Sequence, residues 1–411
     1  MADVAVYTDL VAQTGVDALI SEEPVLQIMD KSIAKEYEQK KYQTGDTVRI
    51  RIEDQPKMPT QSNVLNLDPI VQSQIDVTVL QWNTGFEMSG LEEAYYLGGE
   101  ERVKSKILIP RLKTMATQAA VLCYDELCTC PGFFGTPGTA PKSATDWGYG
   151  QAALDDQLAG GTGYYAIMDN LTMVETAGDL ATRFNPTTDS ATAYMKGRVQ
   201  MAMNMSFFQT SNLPTHTNGT AVGNGTSGMV IASAPATGAT SISVSGGTAN
   251  GTITENSVIS IAGVYEIQPH TKRTLPRLRT FTVTSTATLN GSGAGTINVF
   301  PAIYGPENPK LQTCSALPAI TTGFVKVYGE ASATYQQGLV MKKNSATFVG
   351  LSLPDLVMQK VSVADYEGVE VKASAGSDFV NYINQVRADI LVAAKIRQWR
   401  HQYRYFARRI G

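Results

Sequence analysis

The residues of this chain that could ligate a metal, move a proton or attack a carbonyl are few and poorly spaced for the task. There are 4 cysteines and 3 histidines in 411 residues. Cys123, Cys128 and Cys130 form a C-x4-C-x-C run and Cys314 stands far off, whereas a structural zinc site calls for C-x-x-C pairs. Free buried thiols are therefore expected. His216, His270 and His401 are far apart and flanked by turn or basic residues, so each reads as exposed and not as a general base. Gly160-Gly161-Thr162-Gly163 leads into Tyr164 and Tyr165, not the Lys-Ser/Thr of a phosphate loop, and reads as a turn. A nucleophile elbow and an H-E-x-x-H helix are both absent from the sequence. The carboxylate pairs Asp155-Asp156 and Glu92-Glu93 fall in solvated helical contexts. These residues imply no catalytic site, no cofactor and no metal.

Two basic groups remain. Lys272, Arg273, Arg277 and Arg279 fall with Pro269 and Pro276 in what the pattern makes a loop. Lys395, Arg397, Arg400, Arg404, Arg408 and Arg409 alternate with Trp399, Tyr403, Tyr405 and Phe406, a mixture able to stack on and neutralise nucleic acid. The same alternation fits one packed aromatic face with a charged edge, solvated or facing another subunit, and that reading is preferred. A net charge of -4 gives no global attraction to nucleic acid or anionic membrane.

Positioning these residues falls to a chain whose strongest signal runs from Glu100 to Cys130. Leu108, Leu112, Met115, Ala119, Leu122 and Glu126 recur at helical spacing, with Lys113, Thr117, Gln118 and Asp125 off the stripe. Pro110 removes a backbone donor, so the helix starts there or is entered through a kink from an earlier helix, Glu100 to Ile109. Pro131 and Gly132 stop it. Ahead of it, Ser21 is placed to cap an arm helix that holds Glu22, Glu23 and Pro24 in its first turn. The apolar face Leu26, Met29, Ile33 and Tyr37 must find a partner elsewhere, another subunit being one solution.

Val48, Ile50 and Ile52 alternate with Arg49, Arg51 and Glu53, and Ile75, Val77 and Val79 alternate with Gln74, Asp76 and Thr78. These are two strands of a long hairpin whose Pro-bearing connection, Asp54 to Gln72, far exceeds an ordinary hairpin loop. An isolated hairpin needs cover for its apolar face, so contacts between subunits are expected there.

After the long helix, Pro131 to Gly150 reads as a Gly- and Pro-rich crossing. Ala152 to Leu158 reads as a short helix, Tyr164 to Met168 as a strand and Leu171 to Leu180 as a helix. From Ala221 to Ser260 the only charged residue is Glu255. Short β signals at Gly228 to Ala232, Ser241 to Val244, Ser257 to Ala262, Thr280 to Val283 and Thr296 to Phe300 predict a small all-β module within 223–332. Strands resume at Phe324 to Tyr328, Ala346 to Leu351 and Val369 to Lys372. Val386 to Ile396 alternates as a strand, and a short helix is expected from His401 to Ile410.

The order of these parts carries a resemblance. GDTVRIRI with IDVTVLQW, then ILIPRLKTMATQAAVLCYDEL, and finally RYFARRIG resemble the tailed-bacteriophage major capsid protein of the Hong Kong 97 fold. The branch it resembles has a β-barrel inserted in the axial domain, as in the coat protein of the Salmonella podovirus group. SVISIAGVYEI, RTFTV and TINVFPAIYGP are similar to the strands of that insertion. YAIMDN and MKGRVQMAMNMSFFQTSNLP resemble the axial segment before it, and MKKNSATFVGLSLPDL the segment after. One departure is that the long loop near the start of the Salmonella-type insertion has no counterpart in the nearly uncharged 228–257. The basic loop from Pro269 to Arg279 is the candidate substitute.

The resemblance implies an α+β, Hong Kong 97-type fold: arm 1–45, extended hairpin loop 46–85, spine helix and peripheral domain 86–150, axial domain 151–222, inserted β-barrel 223–332, and the rest of the axial and peripheral domains 333–411. It implies a major capsid protein that self-assembles as hexamers and pentamers into an icosahedral head shell. Packaged double-stranded DNA would be a partner by proximity, with scaffolding and portal proteins as further partners. The location is the virion, after assembly in the host cytoplasm. There is no signal peptide and no apolar run long enough for a membrane span, so no membrane is expected. Lys57, Asn63 and Asp68 on the hairpin connection, and Lys272, Arg273, Arg277 and Arg279 in the basic loop, are the expected assembly-interface residues. The alternatives are a hydrolase, carbohydrate-active or otherwise, with an appended β module, and a secreted β-rich adhesion protein. Missing catalytic motifs count against the first and a missing signal against the second.

Overall fold

The computed structural model describes residues 11–17, 23–32, 47–52, 73–89, 109–160, 163–183, 201–351, 360–366, 369–378 and 383–410. Over these the chain is mixed α+β, with many strands and few helices. It divides into two compact units, one drawn from 1–51, 74–126 and 343–397, the other from 52–73, 127–342 and 398–411. In chain order, after a helical stretch over 11–17, come α1 (Val25–Ile28), β1 (Thr47–Ile52), β2 (Ser73–Thr78), β3 (Leu80–Ser89), α2 (Ile109–Leu127), β4 (Gly132–Phe133), α3 (Ala144–Asp156), β5 (Tyr164–Met168) and α4 (Asn170–Arg183). Next come β6 (Met201–Ala202), β7 (Met205–Gln209), β8 (Thr215–Thr217), β9 (Val230–Ser233), β10 (Ala239–Ser245), β11 (Thr252–Ile253), β12 (Val258–Ile267), β13 (Thr274–Val283), β14 (Ala287–Thr288), β15 (Gly295–Ile303) and β16 (Val325–Val327). The chain closes with β17 (Thr334–Lys342), β18 (Ala346–Gly350), β19 (Lys360–Tyr366), β20 (Val369–Asp378), β21 (Ile383–Ile396) and β22 (Gln402–Ile410).

In the first unit the 14-residue strand β21 organises a five-stranded sheet. β20 pairs along one edge, and β3 and β18 share the other end to end, β3 against 383–392 and β18 against 392–396. The period-two pattern of Val386 to Ile396 is this strand. Helix α2 buries Leu112, Met115, Ala116, Ala119, Ala120, Cys123, Tyr124 and Leu127 and exposes Lys113, Gln118 and Asp125, as the helical spacing requires. Pro110 sits in its first turn, where a missing N–H costs nothing. Leu108, and the earlier helix expected from Glu100 to Ile109, fall at or beyond the edge of the described residues.

Two expectations for this unit need correction. Among the described residues, the arm helix expected to carry Leu26 and Met29 on one face is broken between them: α1 spans 4 residues and Met29, next after it, is extended at ψ 151°. Asp30 is taken by strand pairing. Its N–H donates to the Ala346 carbonyl (2.9 Å), its carbonyl accepts from Phe348 N–H (2.9 Å), and its carboxylate holds Arg397 at 3.2 Å. Val25, Leu26, Ile28 and Met29 are thereby buried within their own chain. Ser21, Ile33 and Tyr37 lie outside the described residues. The second correction concerns the hairpin. β1 and β2 pair as read, but Val48, Ile50, Val77 and Val79 are covered by Val349 and Ala393, with Leu351 and Leu391 beside them, all in the same unit. The apolar face at the base of the hairpin is an internal one. Lys57, Asn63 and Asp68 lie outside the described residues.

The second unit holds two larger sheets. The seven-stranded sheet runs β4-β22-β17-β5-β7-β6, with β8 also on β17. Its C-terminal strand β22 replaces the helix expected from His401 to Ile410. Gln402 to Ala407 are nearly all buried, because neighbours cover both faces of the strand, and such a run shows no helical stripe and no clean alternation. Helix α3 starts eight residues before the helix expected from Ala152, inside what read as a crossing. Ser143 and Asp146 form a reciprocal capping box, which offsets Gly148 and Gly150 in the first turns. Trp147, 0% exposed, meets Phe207 and Tyr405 edge-on. Gly160 and Gly163 take left-handed φ (74° and 79°) in the turn before β5; Gly161 and Thr162 are outside the described residues.

The six-stranded sheet runs β16-β12-β13-β15-β10-β9. Its apolar cluster, including Ile231, Val244, Ile259, Ile261, Phe281 and Val299, is drawn from within 221–327. Phe324 to Tyr328 belongs to this sheet, since Val325–Val327 pairs with β12. Arg277 and Arg279 are not in a loop. They lie on β13, and Pro276 is accommodated beside a register shift between Tyr265 and Ile267 on the partner strand.

Candidate functional site: a charged seam

The ionisable residues that the sequence offers to chemistry converge within the second unit, where β12 and β13 meet the start of β22 and the end of α3. Glu266, 1% exposed, is the acceptor at the centre. Arg277 Nε donates to its Oε2, Arg279 Nη1 to its Oε1 at 3.2 Å, and the Tyr403 hydroxyl reaches both oxygens at 3.3–3.4 Å. Arg277 also holds Asp156 at 3.2 Å and the Ala153 carbonyl at 3.3 Å at the end of α3. Arg400 donates to the Gln312 carbonyl (3.2 Å) and to Gln157 Oε1 (3.5 Å), while Gln157 Nε2 donates to the Ile267 carbonyl (3.2 Å). The guanidiniums of Arg279 and Arg400 lie 4.4 and 4.7 Å from the Trp399 ring centroid.

Burial sets the electrostatics. It lowers the Arg400 guanidinium to about 9, with the Arg279 charge adding to the effect, and lowers the Lys272 ammonium to about 8, with Arg400 adding to it. Burial, then the Glu266 charge, pushes the Tyr403 phenol well up. Removing one partner from a buried pair strands the other, which costs about 3–5 kcal/mol. Glu266 therefore serves as a lock between strands.

Beside the seam, Arg404 is 0% exposed and donates to the Cys128 carbonyl, to Thr282 Oγ1 at 2.9 Å and to Gln337 Oε1 at 3.4 Å; Thr282 in turn donates to the Cys130 carbonyl at 3.2 Å. His216, 5% exposed, stacks on Phe406 (5.3 Å, 16°), and Tyr335 stacks on the same ring (5.5 Å, 11°). The His216 Nε2 lies 3.0 Å from Asn218 Oδ1 and 3.3 Å from Ser257 Oγ. Burial, then the Arg404 charge, lowers the imidazole to about 4.

The expected interface residues thus separate. Arg273 is exposed and Lys272 partly exposed in the β12–β13 turn, whereas Arg277 is three-quarters enclosed and Arg279 is 2% exposed, both spent on Glu266. The C-terminal basic residues are likewise paired or buried. Lys395 pairs with Glu126, Arg397 with Asp30, Arg408 with Asp169 and Glu175, and Arg409 with Glu330, while Arg400 and Arg404 are buried. Of the histidines, only His270 has the open exposure expected of all. The four cysteines are buried free thiols, and burial pushes Cys130 up to about 11 and Cys123 and Cys314 upward as well. Glu266 escaped the sequence reading, although an acid in the apolar strand SVISIAGVYEI is a signal that it has a buried cationic partner. Among the described residues, no group of acids, histidines and cysteines could hold a metal ion, and no helix is long and apolar enough to cross a membrane.

No family model and no curated protein matches the chain. Among solved structures it is similar to one from Mycobacterium phage Che8, at 10% identity and TM-score 0.45, over 90% of this chain and 87% of that one. It is similar to the capsid of cyanophage P-SCSP1u at 10% identity and TM-score 0.44, over 89% and 84% of the two chains. It is also similar to a virus-like particle from Pyrococcus furiosus at 7% identity and TM-score 0.41, over 97% and 99%.

Proposed function

We propose that this chain is a structural subunit that closes into a shell, the major capsid protein of a tailed bacteriophage with a Hong Kong 97-type fold. The observation that carries the reading is the composition of the first unit. Its five-stranded sheet joins β3, which precedes the long helix α2, to β18–β21, which arrive only after 127–342, the largest part of the second unit, has been threaded between them. Arm, hairpin, spine helix, interposed second unit and returning strands follow one another in the order the sequence resemblance implies. Among the described residues, Glu266 and Asp156 hold arginines, burial lowers the His216 imidazole, and burial raises the Cys130 thiol.

On this reading the subunit assembles with itself as hexamers and pentamers around packaged DNA, aided by scaffolding and portal proteins, and the mature protein resides in the virion. The six-stranded sheet and its flanking loops, 223–332, are the inserted β domain. Assembly contacts belong to the hairpin connection with Lys57, Asn63 and Asp68, and to the exposed Arg273 turn, not to Arg277 or Arg279. Negative-stain microscopy of the full-length chain, expressed with the scaffolding protein of its own genome, should show closed shells of uniform diameter. A monodisperse monomer under those conditions, above all one that turns over ester or glycoside substrates, would overturn the reading.

A further inference from the structure

The chain has four Asn-Gly pairs, at Asn218, Asn224, Asn250 and Asn290, all within the second unit. In such a pair the glycine nitrogen, with no side chain beside it, is free to attack the asparagine amide carbon. Three of the pairs are held against this. Asn218 is 2% exposed, its Nδ2 donates to the Tyr328 and Glu330 carbonyls at 2.9 and 3.1 Å, and Gly219 is packed on the Thr252 carbonyl. Gly251 is buried, and its N–H donates to the Thr248 carbonyl at 3.0 Å. Asn224 Oδ1 accepts from Thr226 N–H and Ser227 N–H, but its Nδ2 is tethered to Ser227 Oγ at 2.9 Å and Gly225 is backed by the Lys326 side chain.

Asn290 is different. It and Gly291 are exposed in the connection between β14 and β15, and nothing lies within 4 Å of where a Gly291 Cβ would stand. Three donors converge on Asn290 Oδ1: the Ser292 N–H at 3.0 Å, the Ser292 hydroxyl at 2.7 Å and the Ala294 N–H at 2.9 Å. The first of these closes an Asx turn, which folds the amide carbon back over the Gly291 nitrogen. All three point at the oxygen on which negative charge develops when that carbon is attacked, as the donors of an oxyanion hole do. The backbone keeps the pose, because Asn290 N–H donates to the Ala294 carbonyl (2.8 Å) and its carbonyl accepts from Gly293 (2.9 Å) and Asn250 (3.0 Å).

We propose that Asn290 and Gly291 form a self-modifying site, at which the folded chain converts Asn290 to a mixture of aspartate and isoaspartate. The Gly291 nitrogen attacks Asn290 Cγ, and its proton passes through water to Nδ2. The Cγ–Nδ2 bond breaks and ammonia leaves, closing a cyclic imide. Water then opens the imide. Breaking the bond from nitrogen to Cγ gives aspartate, and breaking the bond from nitrogen to the backbone carbonyl carbon gives isoaspartate. Water is the only other reactant. The product places a carboxylate in a stretch, Thr280 to Pro306, that has no charged residue. Isoaspartate also adds a methylene to the backbone of the loop that holds Asn250 N–H.

Peptide mapping by mass spectrometry of the unassembled full-length chain aged at pH 8, with isoaspartate scored by enzymatic methylation, tests this against a sample aged in guanidinium chloride. In denaturant the Asn-Gly pairs should react at similar rates. In the folded chain Asn290 should react at least as fast as in denaturant, and Asn218, Asn224 and Asn250 at least tenfold more slowly. Ser292→Ala should slow Asn290 by about three- to tenfold, the worth of one neutral hydrogen bond, and Ser292→Thr should restore the rate. Gly291→Ala, for which the loop has room, should slow it further while leaving the urea midpoint unchanged. An Asn290 that survives in the folded protein but is lost in denaturant, an Asn224 that reacts as fast, or an unchanged rate in Ser292→Ala would overturn the proposal. None of these results depends on whether the chain forms shells.

Discussion

His216 shows how one side chain here is given a structural duty in place of a chemical one. Its ring is stacked on Phe406, its Nε2 faces Asn218 and Ser257, and the Arg404 charge is near, so adding a proton puts two cations into a dry stack. The folded value of about 4 lies below the roughly 6.5 of an unfolded histidine, so the unfolded chain binds more protons between them. Stability from this residue is therefore fully present above about pH 6.5 and is lost as pH falls through about 4. The slope in that window is at most about 1.4 kcal/mol per pH unit. Urea unfolding of the full chain at several pH values from 4 to 7 should show this component, and His216→Gln should lack it. Parallel profiles for the two proteins would contradict the assignment. The sequence placed His216 on the surface because its neighbours are turn-like; what buries it is Phe406, 190 positions away, which local pattern does not reveal.

At the scale of elements, legibility followed the number of faces that are buried. Strands β1, β2, β5 and β21 and helices α2 and α4 were readable, each with a periodic or compact apolar signal and little competition from tertiary contacts. β22 was misread because both of its faces are covered, and α1 because sheet pairing at Asp30 overrides helix propensity. The start of α3 was missed although Ser143 and Asp146 form a capping box, since Gly148 and Gly150 masked it. Of the candidate site, the cations were visible in sequence but their direction was not: Arg277 and Arg279 turn inward because Glu266 lies across the strand pair.

The hairpin allows a direct test at this scale. Ile50 is 1% exposed under Val349 and Ala393, whereas the Arg49 side chain is 67% exposed and pairs with Asp76 at 3.4 Å. Ile50→Ala should destabilise the isolated subunit by about 2–5 kcal/mol, the range for a large aliphatic side chain lost from a core. Arg49→Ala should change it by less than about 1 kcal/mol. Denaturant unfolding of unassembled protein would separate the two. Equal, small effects would mean that the base of the hairpin is stabilised only by other subunits, as the sequence alone had led us to expect.

On the scale of the whole molecule, the β-rich stretch 223–332 poses the question of autonomy. Its apolar cluster is drawn from residues 221–327, from Ala221 and Met229 to Val325 and Val327, so excision would leave the interior of the six-stranded sheet nearly intact. The Arg277, Arg279 and Glu266 pairs would go with it, since all their partners among themselves lie on β12 and β13. Contacts beyond 221–332 would be lost, among them Val258 with Phe133, Ala333, Tyr335 and Phe406, Glu266 with the Tyr403 hydroxyl, Arg277 with Asp156 and the Ala153 carbonyl, Arg279 over Trp399, the Ile267 and Gln312 carbonyls with Gln157 and Arg400, Ser257 with His216, and Thr282 with Arg404 and the Cys130 carbonyl. These losses uncover Val258 and the ring contacts of Tyr328 and Phe300 and free several polar and charged groups to water without opening the core, so they lower stability more than they threaten folding. A fragment spanning 221–332 should thus give dispersed amide NMR signals and a single cooperative melt, at a lower temperature than the same strands show in the full chain. Hydrogen exchange on both proteins would check the second point: amides of Ile259, Phe281 and Val299 should remain the slowest in each, with uniformly faster exchange in the fragment. Random-coil amide shifts from the fragment would mean that the seam contacts with β22 are required for the sheet to form, and the stretch would then have to be regarded as an extension of the seven-stranded sheet, without a core of its own.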